Sequence, residues 1–591
     1  MKLLRVTLAL LLVILPLAAS HGSHAQVTAA QRSVALVLTN GRIFTADARG
    51  TIAEAVAVEG ERIVAVGTSA EIARAYAGAR TIDLRGRLVT PGFNDAHLHF
   101  INGGLSLMRV ELSGAKTLAE AKARIAAKVR ELPPGAWILG RGWDHTLWGG
   151  QWPTRADLDR VAPNNPVYVQ RVDGHVSWTN TLALKQANVT RETRAPEGGE
   201  ILHDAGGEPT GILKETAASL VGRVVPEPAR AERMQAAERA LAEARRYGIT
   251  SIQDNSGYEA VELYRELLQA GKLTVRVAEW QNFEDTVEKL KGQRAEFASF
   301  KIDPLQIRLT ALKGYVDGTL GSRTAAMLAP FADDPHNSGI PRRTPEELTR
   351  MIAERDAAGL QIALHAIGDR ANRMALDGFQ AALGRASSKP TPSPGVETGA
   401  PAKIAINDPP TGTARPASPP RHRIEHSQVV APADFARFRD LGVLASMQPS
   451  HAISDKRWAE ARLGEYRVQG AYAWHRMLAF GVRMPFGTDW PVEPLNPYLG
   501  LYAAVTRQST EGDPAGGWWP QERLSIADAI RCYTSESAYA SFEETQKGQI
   551  APGMLADLAV HSRDLLSIKP EEILQTETVL TVFGGRIVHE K

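Results

Sequence analysis

Six residues of this chain have side chains suited to metal-dependent chemistry, and each lies at the end of a short apolar run. The runs read LVTPGFNDAHLH, RLTALK, QIALH, RIEH and MPFGTD. The six residues are His97, His99, Lys313, His365, His426 and Asp489. Because the carboxyl ends of parallel strands lie on one face of a closed barrel, these side chains can converge there. Imidazoles, an amine and a carboxylate brought together can hold a divalent ion, so the sequence predicts hydrolysis by a metal-activated water.

The histidines supply most of the expected metal donors. His97 and His99 point to the same face of one strand, because side chains alternate along a strand with a period of two. With the histidines of QIALH and RIEH they offer four neutral nitrogen donors, which suit zinc and its neighbours. The alternative for the pair is a hydrogen bond between two barrel histidines. His422 shares a strand face with His426 and is the rival ligand. Seven further histidines are interpreted as ordinary surface or core residues: His145, His203, His336, His451, His475, His561 and His589.

Asp489 and Lys313 add an acid–base group and an unusual amine. The Asp489 carboxylate can accept a proton from the metal-activated water and return it to the leaving group. Its alternative is a helix N-cap ahead of Pro491. An unpaired ammonium at Lys313 would be costly beside metal ions, whereas a neutral amine can react with carbon dioxide to give an anionic carbamate that bridges two cations. The alternative for Lys313 is a salt bridge to Asp317 in the same KGYVDG segment.

Alternating strand and helix patterns predict the scaffold that positions these residues. Eight runs are predicted as barrel strands: LVTPGFNDAHLH, GITSIQDN, LTVRVAEW, IRLTALKGYVDG, QIALHAIGD, RHRIEHSQ, GVLASMQ and VRMPFGTDW. Helical patterns such as RAERMQAAERALAEARRY and PEELTRMIAERDAA fall between them. This order is typical of an α/β fold with a parallel sheet, and we expect a (β/α)8 TIM barrel within residues 89–547.

The two ends of the chain are rich in short strand patterns. Asn40-Gly41 and Glu59-Gly60 interrupt alternating apolar residues, which indicates hairpins. The segment NGRIFTAD near the amino end resembles GGRIVHE near the carboxyl end. Neither end alone has enough strands to bury a two-sided core, so residues 33–88 and 548–591 are expected to build one composite β-sandwich.

Two insertions interrupt the barrel pattern. Residues 101–247 separate the first two barrel strands and are far longer than a crossover requires, so they are expected to form a cap. The cap contains five tryptophans, which either fill its own core or line an apolar substrate pocket; they are Trp137, Trp143, Trp148, Trp152 and Trp178. Residues 387–420 are rich in Pro, Thr, Ala and Gly and are predicted to form a flexible surface loop without chemistry.

The amino terminus and the composition bear on location and partners. Lys2 and Arg5 precede an apolar run, and small residues follow it, which is the pattern of a signal peptide over residues 1–25. We therefore expect a periplasmic or secreted protein without stable membrane insertion after cleavage. A net charge of +2 gives no electrostatic footprint for nucleic acid. The single cysteine, Cys532, excludes an intramolecular disulfide and a cysteine-rich zinc site.

Several longer motifs resemble a known family. PGFNDAHLHF, LKGYVDGTLGSR, LHAIGDRA, RIEHSQ, FGTDWPVEPLNPYLGLYAAVTR and DGHVSWTNTLAL resemble the YtcJ-like branch of the amidohydrolase superfamily (amidohydrolase family 3), which includes N-substituted formamide deformylase. The resemblance covers nearly all of the chain after the predicted signal peptide. It implies a barrel with a composite sandwich, one or two divalent metal ions that we expect to be zinc, and hydrolysis of a non-peptide C–N bond in a small molecule.

The resemblance also implies roles for individual residues. His97, His99 and Asp489 would bind the more buried metal, His365 and His426 the second, and an N-carboxylated Lys313 would bridge them. His175, in DGHVSW of the cap, is either a hydrogen-bonding partner of the substrate or a structural residue. Three further polar residues follow ligand-bearing strands near the barrel mouth, either in functional roles or in salt bridges and loop caps: Asp317, Arg323 and Arg370.

Alternatives to amide hydrolysis remain open at this point. The same site could hydrolyse esters, lactones or cyclic ureides. A different class is a periplasmic protein that binds a metal or a solute without turnover, although a proton-shuttling Asp489 favours an enzyme. A homodimer is possible, because such barrels often dimerise.

Overall fold

The computed structural model describes residues 36–384 and 420–591, except Asp173, His175 and Glu197. The predicted signal peptide and all but the last residue of the predicted Pro-rich loop lie outside the described residues. No helix within the described ranges is long and apolar enough to cross a membrane.

Strands and helices are distributed along the whole described chain. The strands are β1 (Leu36–Thr39), β2 (Arg42–Phe44), β3 (Ile52–Ala53), β4 (Ala55–Glu59), β5 (Arg62–Gly67), β6 (Arg80–Asp83), β7 (Leu88–Pro91), β8 (Phe93–Leu98), β9 (Val110–Glu111), β10 (Ile138–Trp143), β11 (Val167–Arg171), β12 (Val176–Thr179), β13 (Gly199–His203), β14 (Pro209–Glu215), β15 (Ile249–Asp254), β16 (Arg276–Asn282), β17 (Ile307–Tyr315), β18 (Gln361–Ala366), β19 (Arg423–His426), β20 (Leu444–Ser446), β21 (Leu558–His561), β22 (Thr578–Phe583) and β23 (Arg586–Glu590). The helices are α1 (Ser69–Ala75), α2 (Phe100–Ser106), α3 (Leu118–Glu131), α4 (Arg155–Asp159), α5 (Thr181–Gln186), α6 (Ser219–Gly222), α7 (Arg230–Arg246), α8 (Ala260–Gln269), α9 (Val287–Ser299), α10 (Pro345–Ala357), α11 (Asp369–Ala382), α12 (Phe435–Leu441), α13 (Pro449–Arg467), α14 (Trp474–Ala479), α15 (Pro497–Thr506), α16 (Ile526–Cys532) and α17 (Ser535–Ala540).

A parallel barrel forms the centre of the molecule, as predicted. Seven strands make one sheet in the order β8, β15, β16, β17, β18, β19, β20, and every neighbouring pair is parallel. Residues 483–489 fill the eighth position. Phe486 forms a parallel bridge with Met447 on one side. On the other side, the Asp489 N–H donates to the His97 carbonyl at 2.7 Å.

The eighth barrel segment differs from the prediction, because VRMPFGTDW does not form a regular strand. Pro485 has no N–H to contribute to a strand ladder. Asp489 has a left-handed backbone with φ of 58°, which takes the chain out of the extended conformation at the barrel mouth. The segment therefore closes the ring through a few hydrogen bonds rather than a continuous ladder.

The first predicted barrel strand is in fact two strands in two different sheets. β7 pairs with β21 and β2 outside the barrel, whereas β8 pairs with β15 inside it. The change of sheet occurs at Gly92, whose N–H donates to Asp557 while the N–H of Phe93 donates to Gly248. A Cβ atom at residue 92 would lie 2.2 Å from Thr250 Oγ1, so only glycine allows this close approach.

Strands from both chain ends build two sheets that share an apolar core. The four-stranded sheet has the order β5, β4, β1, β6, and the six-stranded sheet has the order β23, β22, β21, β7, β2, β3. β21, from the carboxyl end, is antiparallel to β7, from the amino end. Leu38, Val56, Val89, Leu558 and Val582 are fully buried in the common core. This core therefore forms only when the two chain ends meet.

The insertion between β8 and β15 has a sheet and a core of its own. Its six strands have the order β13, β14, β12, β11, β10, β9. Trp143 and Trp178 are fully buried in this core, and Trp148 and Trp152 pack against it. The Trp143 indole donates to the Val169 carbonyl at 2.9 Å, which satisfies its polar atom. Most of the cap's tryptophan surface is therefore structural.

Helix α10, outside the barrel, begins where the sequence provides a cap. α10 starts after Thr344, whose hydroxyl accepts the Glu347 N–H at 3.2 Å. Pro345 occupies the first turn, where its missing N–H carries no penalty. Leu348 and Ile352 lie four residues apart on the buried face of this helix. The helix thus covers the barrel with one apolar stripe.

Candidate metal centre

The structure brings the six predicted residues to one end of the barrel. Asp489 Oδ1 lies 3.5 Å from His97 Nε2 and 3.4 Å from His99 Nε2. The ring centroid of His426 lies 5.0 Å from that of His97 and 4.5 Å from that of His365. All are buried except His99, whose side chain is 22% exposed. Strand ends that are far apart in sequence therefore converge on one small volume.

Three of these residues form the most compact donor set in the described chain. One ligand atom each from His97, His426 and Asp489 lie within 4.8 Å of one another. His97 belongs to β8, His426 ends β19, and Asp489 lies in the segment that closes the barrel. A single cation between these strands could be reached by donors from both sides of the ring.

Each of the four histidines uses one ring nitrogen for an acceptor outside the cluster. The acceptors are Glu425 Oε2 for His97 Nδ1 at 2.5 Å, the Asn255 carbonyl for His99 Nδ1 at 3.2 Å, the Gly318 carbonyl for His365 Nε2 at 3.0 Å and Gln448 Oε1 for His426 Nδ1 at 2.7 Å. An acceptor of this kind holds the proton on the nitrogen that it contacts. The other nitrogen then keeps a lone pair for a cation, as in metal sites where a second layer of residues orients the imidazoles.

The environment keeps three imidazoles in their neutral form. Burial and the nearby Lys313 lower the pKa of His97 to about 4 and that of His365 to about 3. Burial and the neighbouring His365 hold the pKa of His426 well below its ordinary value. A neutral imidazole is the form that binds a metal, so these rings are ready to coordinate at pH 7.

Asp489 is a carboxylate with one unsatisfied oxygen. Burial alone would raise the pKa of Asp489, but the adjacent rings of His99 and His97 hold it well below its ordinary value. Asp489 Oδ1 is buried and makes no hydrogen bond. An anionic oxygen facing the lone pairs of two imidazoles is unfavourable unless a cation lies between them. This donor set therefore fits a divalent metal ion.

Lys313 lies within the cluster without a carboxylate partner. Its Nζ is 3.1 Å from His97 Nε2 and 5.0 Å from the centroid of the Tyr315 ring. No carboxylate oxygen of the described residues lies within 4.0 Å of Lys313 Nζ. Burial lowers the pKa of Lys313 to about 8, even though Glu425 and Asp489 act in the opposite direction.

The alternative salt bridge between Lys313 and Asp317 is wrong. The Asp317 carboxylate accepts backbone N–H groups from Ala326 at 2.9 Å, Ile367 at 3.0 Å and Gly368 at 2.8 Å. Asp317 therefore ties the loop after β17 to the end of β18. Asp317 lies beyond the end of β17, and its carboxylate is engaged by these backbone groups rather than by Lys313.

His422 is not a rival ligand. Its Nε2 lies 3.0 Å from Asp356 Oδ1, and its Nδ1 accepts the Ile362 N–H at 3.2 Å. Both ring nitrogens are thus occupied. The shared strand face with His426 is misleading, because His426 has a φ of 72° and leaves the extended conformation.

Two of the remaining predicted mouth residues are placed by the structure, and one cap residue is not described. Arg323 forms a two-point ion pair with Asp333. Arg370 lies in the first turn of α11. His175 lies outside the described residues.

A buried charged pair, not predicted from the sequence, lies behind the cluster. Arg423 and Glu425 are fully buried and hydrogen-bonded to each other, and Glu425 contacts His97. Burial alone would raise the pKa of Glu425, but Arg423 and His97 lower it to about 2. The signal was available, because two opposite charges two residues apart in an apolar strand must face the same side.

His451, predicted to be an ordinary surface or core histidine, borders the cluster. It lies in the first turn of α13, and its ring stacks on His426 with centroids 5.7 Å apart. Its Nε2 is 3.6 Å from Asp489 Oδ2, and this nitrogen is buried without a hydrogen-bond partner. Nothing in the local sequence distinguishes His451, because it lies on helix α13 and does not end an apolar strand as the other donors do.

Comparison with known proteins agrees with this geometry. The profile described as "Amidohydrolase family" matches residues 80–589, and one described as "Imidazolonepropionase-like composite domain, bacteria" matches residues 55–79. Protein LONG AFTER FAR-RED 3 of Arabidopsis thaliana is 33% identical over 93% of this chain and 91% of its own length. YtcJ of Bacillus subtilis is 31% identical over 93% of this chain and 98% of its own length.

N-substituted formamide deformylase of Arthrobacter pascens is 27% identical over 94% of this chain and 98% of its own length. A solved structure of an uncharacterized metal-dependent hydrolase from Pyrococcus furiosus is 28% identical, with a TM-score of 0.69 over 90% of this chain and all of that chain. The family profile spans most of the chain, and the strand-end donors lie within it. The chain therefore belongs to the amidohydrolase family, and it is similar in fold and sequence to a solved metal-dependent hydrolase.

Proposed function

We propose that this protein hydrolyses a non-peptide, amide-type C–N bond of a small molecule. The observation that carries the proposal is the cluster of four imidazoles, each with one nitrogen fixed by an acceptor outside the cluster, beside the unsatisfied Asp489 oxygen. A relative that is 27% identical over nearly its whole length is named N-substituted formamide deformylase, which supports an amide-type bond.

The residues would divide the work as follows. His97, His99 and Asp489 would hold one ion, and His365 and His426 a second. Neutral nitrogen donors with one carboxylate suit zinc. A bound divalent ion lowers the pKa of water and polarises a carbonyl group.

Side chains of the protein would transfer the proton of the attacking water. Asp489 is buried and anionic, so it can accept a proton from the attacking water and return it to the departing nitrogen. Lys313 would act as an N-carboxylated bridge, because its amine is buried beside the donors and its pKa of about 8 leaves a neutral fraction at pH 7. We propose that His175 of the cap hydrogen-bonds the substrate.

Metal analysis and a hydrolysis screen test the proposal. Purified protein is expected to contain zinc and to hydrolyse an N-substituted formamide in a screen of N-formyl, N-acyl and cyclic amides, and chelator treatment should abolish the activity. Asp489→Asn should lower kcat by about 10²- to 10⁴-fold, the usual contribution of a general base. Asp377→Asn is the control, because Asp377 lies on the outer helix α11 with a side chain that is 59% exposed.

The same screen includes esters, lactones and cyclic ureides, which would use the same groups. Turnover of only these compounds would contradict the amide assignment. Bound metal without turnover of any compound would indicate a binding protein instead.

We also propose export to the periplasm or the medium, on the sequence of residues 1–25. Amino-terminal sequencing of the protein from fractionated cells should begin at Gln26. A chain that retains Met1 would contradict this proposal. A homodimer is proposed as well, and light scattering of the purified protein would test it.

A further inference from the structure

A cavity of about 690 Å³ lies between the cap and the barrel. Arg171 at the end of β11, Val176 at the start of β12 and Lys214 of β14 line its cap side. Residues 321–323, in the loop after β17, and Arg462 of α13 line its barrel side. We call this space the cap-side cavity. Its volume is in the range of sites for small organic ligands.

The cap-side cavity is close to the metal centre. The Gly318 carbonyl contacts His365 Nε2 at 3.0 Å, and Gly321 lines the cavity. Three residues of extended chain span at most about 11 Å. The wall of the cavity at Gly321 is therefore at most about 11 Å along the chain from Gly318, the residue whose carbonyl contacts His365.

The lining of the cavity is strongly cationic. Four cationic side chains line it, against one carboxylate, Glu215. Three of the four have a carboxylate partner: Arg171 with Asp144 at 2.9 Å, Lys214 with Glu200 at 2.9 Å and Arg323 with Asp333 at 2.7 Å. The fourth, Arg462, differs from the others.

The guanidinium of Arg462 has an N–H group without an acceptor. Its Nη1 donates to the Leu320 carbonyl at 2.5 Å, and its guanidinium lies 5.2 Å from the centroid of the Trp458 ring. Its Nε is buried without a hydrogen-bond partner, and within the described ranges no carboxylate oxygen lies within 4.0 Å of it. Burial and repulsion by Arg323 lower the pKa of Arg462. An anion placed beside Arg462 would relieve this repulsion and accept the unused N–H.

The cavity also has an aromatic wall. The rings of His145 and Trp152 stack with centroids 3.8 Å apart and planes within 17°. Lys214 Nζ lies 5.2 Å from the centroid of the Trp152 ring. A stacked pair beside a cation favours a flat, ring-containing ligand.

We propose that the cap-side cavity holds the remote end of the substrate, and that this end is an aryl carboxylate bound by Arg462. The inference rests on the proposed amide hydrolysis for its place in the reaction. It extends that function by naming the substrate class, an amide whose distal ring carries a carboxylate group.

Two matched substrates test the preference. The first is 4-(formamidomethyl)benzoate, and the second is the neutral N-benzylformamide. The wild-type protein should have a higher kcat/KM for the carboxylate. Arg462→Gln should reduce kcat/KM for the carboxylate by about 10- to 100-fold, as expected for a lost charge-assisted hydrogen bond, and leave the neutral substrate unchanged.

A control variant and a binding measurement separate the possible outcomes. Arg457→Gln makes the same change of charge on the exposed side of α13, outside the cavity lining. It should leave kcat/KM for both substrates unchanged. Calorimetry with 4-methylbenzoate, which has no scissile bond, should show binding that Arg462→Gln weakens by a similar factor.

The measurements distinguish failure of the proposed amide hydrolysis from failure of the proposed carboxylate site. Arg462-dependent binding of 4-methylbenzoate without amide turnover would retain the anion site and remove the amide assignment. Turnover of both formamides with equal kcat/KM, and no effect of Arg462→Gln on binding, would overturn the inference while retaining the hydrolase.

Discussion

Replacement of Glu425 by glutamine should weaken metal binding without leaving a cavity in the core. Glu425 accepts the His97 Nδ1–H at 2.5 Å and pairs with Arg423, and none of the three side chains is exposed. Glutamine has nearly the same volume, and its amide oxygen can still accept from His97. The substitution therefore removes one negative charge and little packing.

The magnitude follows from the burial of the pair. In the folded protein Arg423 and His97 lower the pKa of Glu425 from 4.5 to about 2, against the effect of burial. That shift corresponds to about 3 kcal/mol of stability, and loss of one partner of a buried ion pair costs about 3–5 kcal/mol. Because the folded pKa is the lower one, the contribution is complete at pH 7 and is lost only as the pH falls from about 4.5 through about 2.

Metal affinity should fall as well, because the carboxylate orients the His97 ring and raises its basicity. Loss of such an outer partner lowers metal affinity by about 10- to 100-fold. We would measure the zinc dissociation constant by competition with a chromogenic chelator, and the free energy of unfolding in urea after metal removal.

Glu544→Gln is the matched control, because Glu544 also pairs with an arginine, Arg421, and its side chain is 33% exposed. This variant should lose at most about 1 kcal/mol of stability and bind zinc like the wild type. A zinc dissociation constant within twofold of the wild type in Glu425→Gln would refute the assigned role of Glu425.

Three further predictions address other groups. His451→Phe keeps a ring against His426 but removes the nitrogen 3.6 Å from Asp489, so kcat should fall by about 10- to 100-fold with metal content unchanged; an unchanged kcat would contradict a role for His451. Metal-free protein reloaded with zinc should regain more activity with bicarbonate than without it, and Lys313→Gln should show no such response; equal recovery would argue against the carbamate. Burial lowers the pKa of His561 to about 3, so the unfolded chain alone takes up a proton as the pH falls below about 6.5, and stability decreases towards pH 3. The free energy of unfolding in urea should fall by about 2–3 kcal/mol less between pH 7.5 and pH 4.5 in His561→Gln than in the wild type. An equal fall in the two proteins would refute this prediction.

Much of the fold and of the donor set could be predicted from the sequence. Polar residues that end apolar strands must lie at the rim of a parallel barrel, so His97, Lys313, His365 and His426 could be grouped without coordinates. The switch from sandwich to barrel within LVTPGFNDAHLH could not be predicted, because it depends on the close approach of Thr250 to Gly92.

The contacts around the donors were decided only by the tertiary structure. Sequence spacing reports which face of one strand a residue occupies, but it contains no information about the partner that faces it from another strand or helix. Glu425 behind His97, His451 beside Asp489 and Arg462 across from the cap are all contacts of this kind. The chain alone thus determined which donors are present at the barrel rim. Their protonation and their neighbours depend on burial and on distances between remote segments, which exist only in the folded molecule.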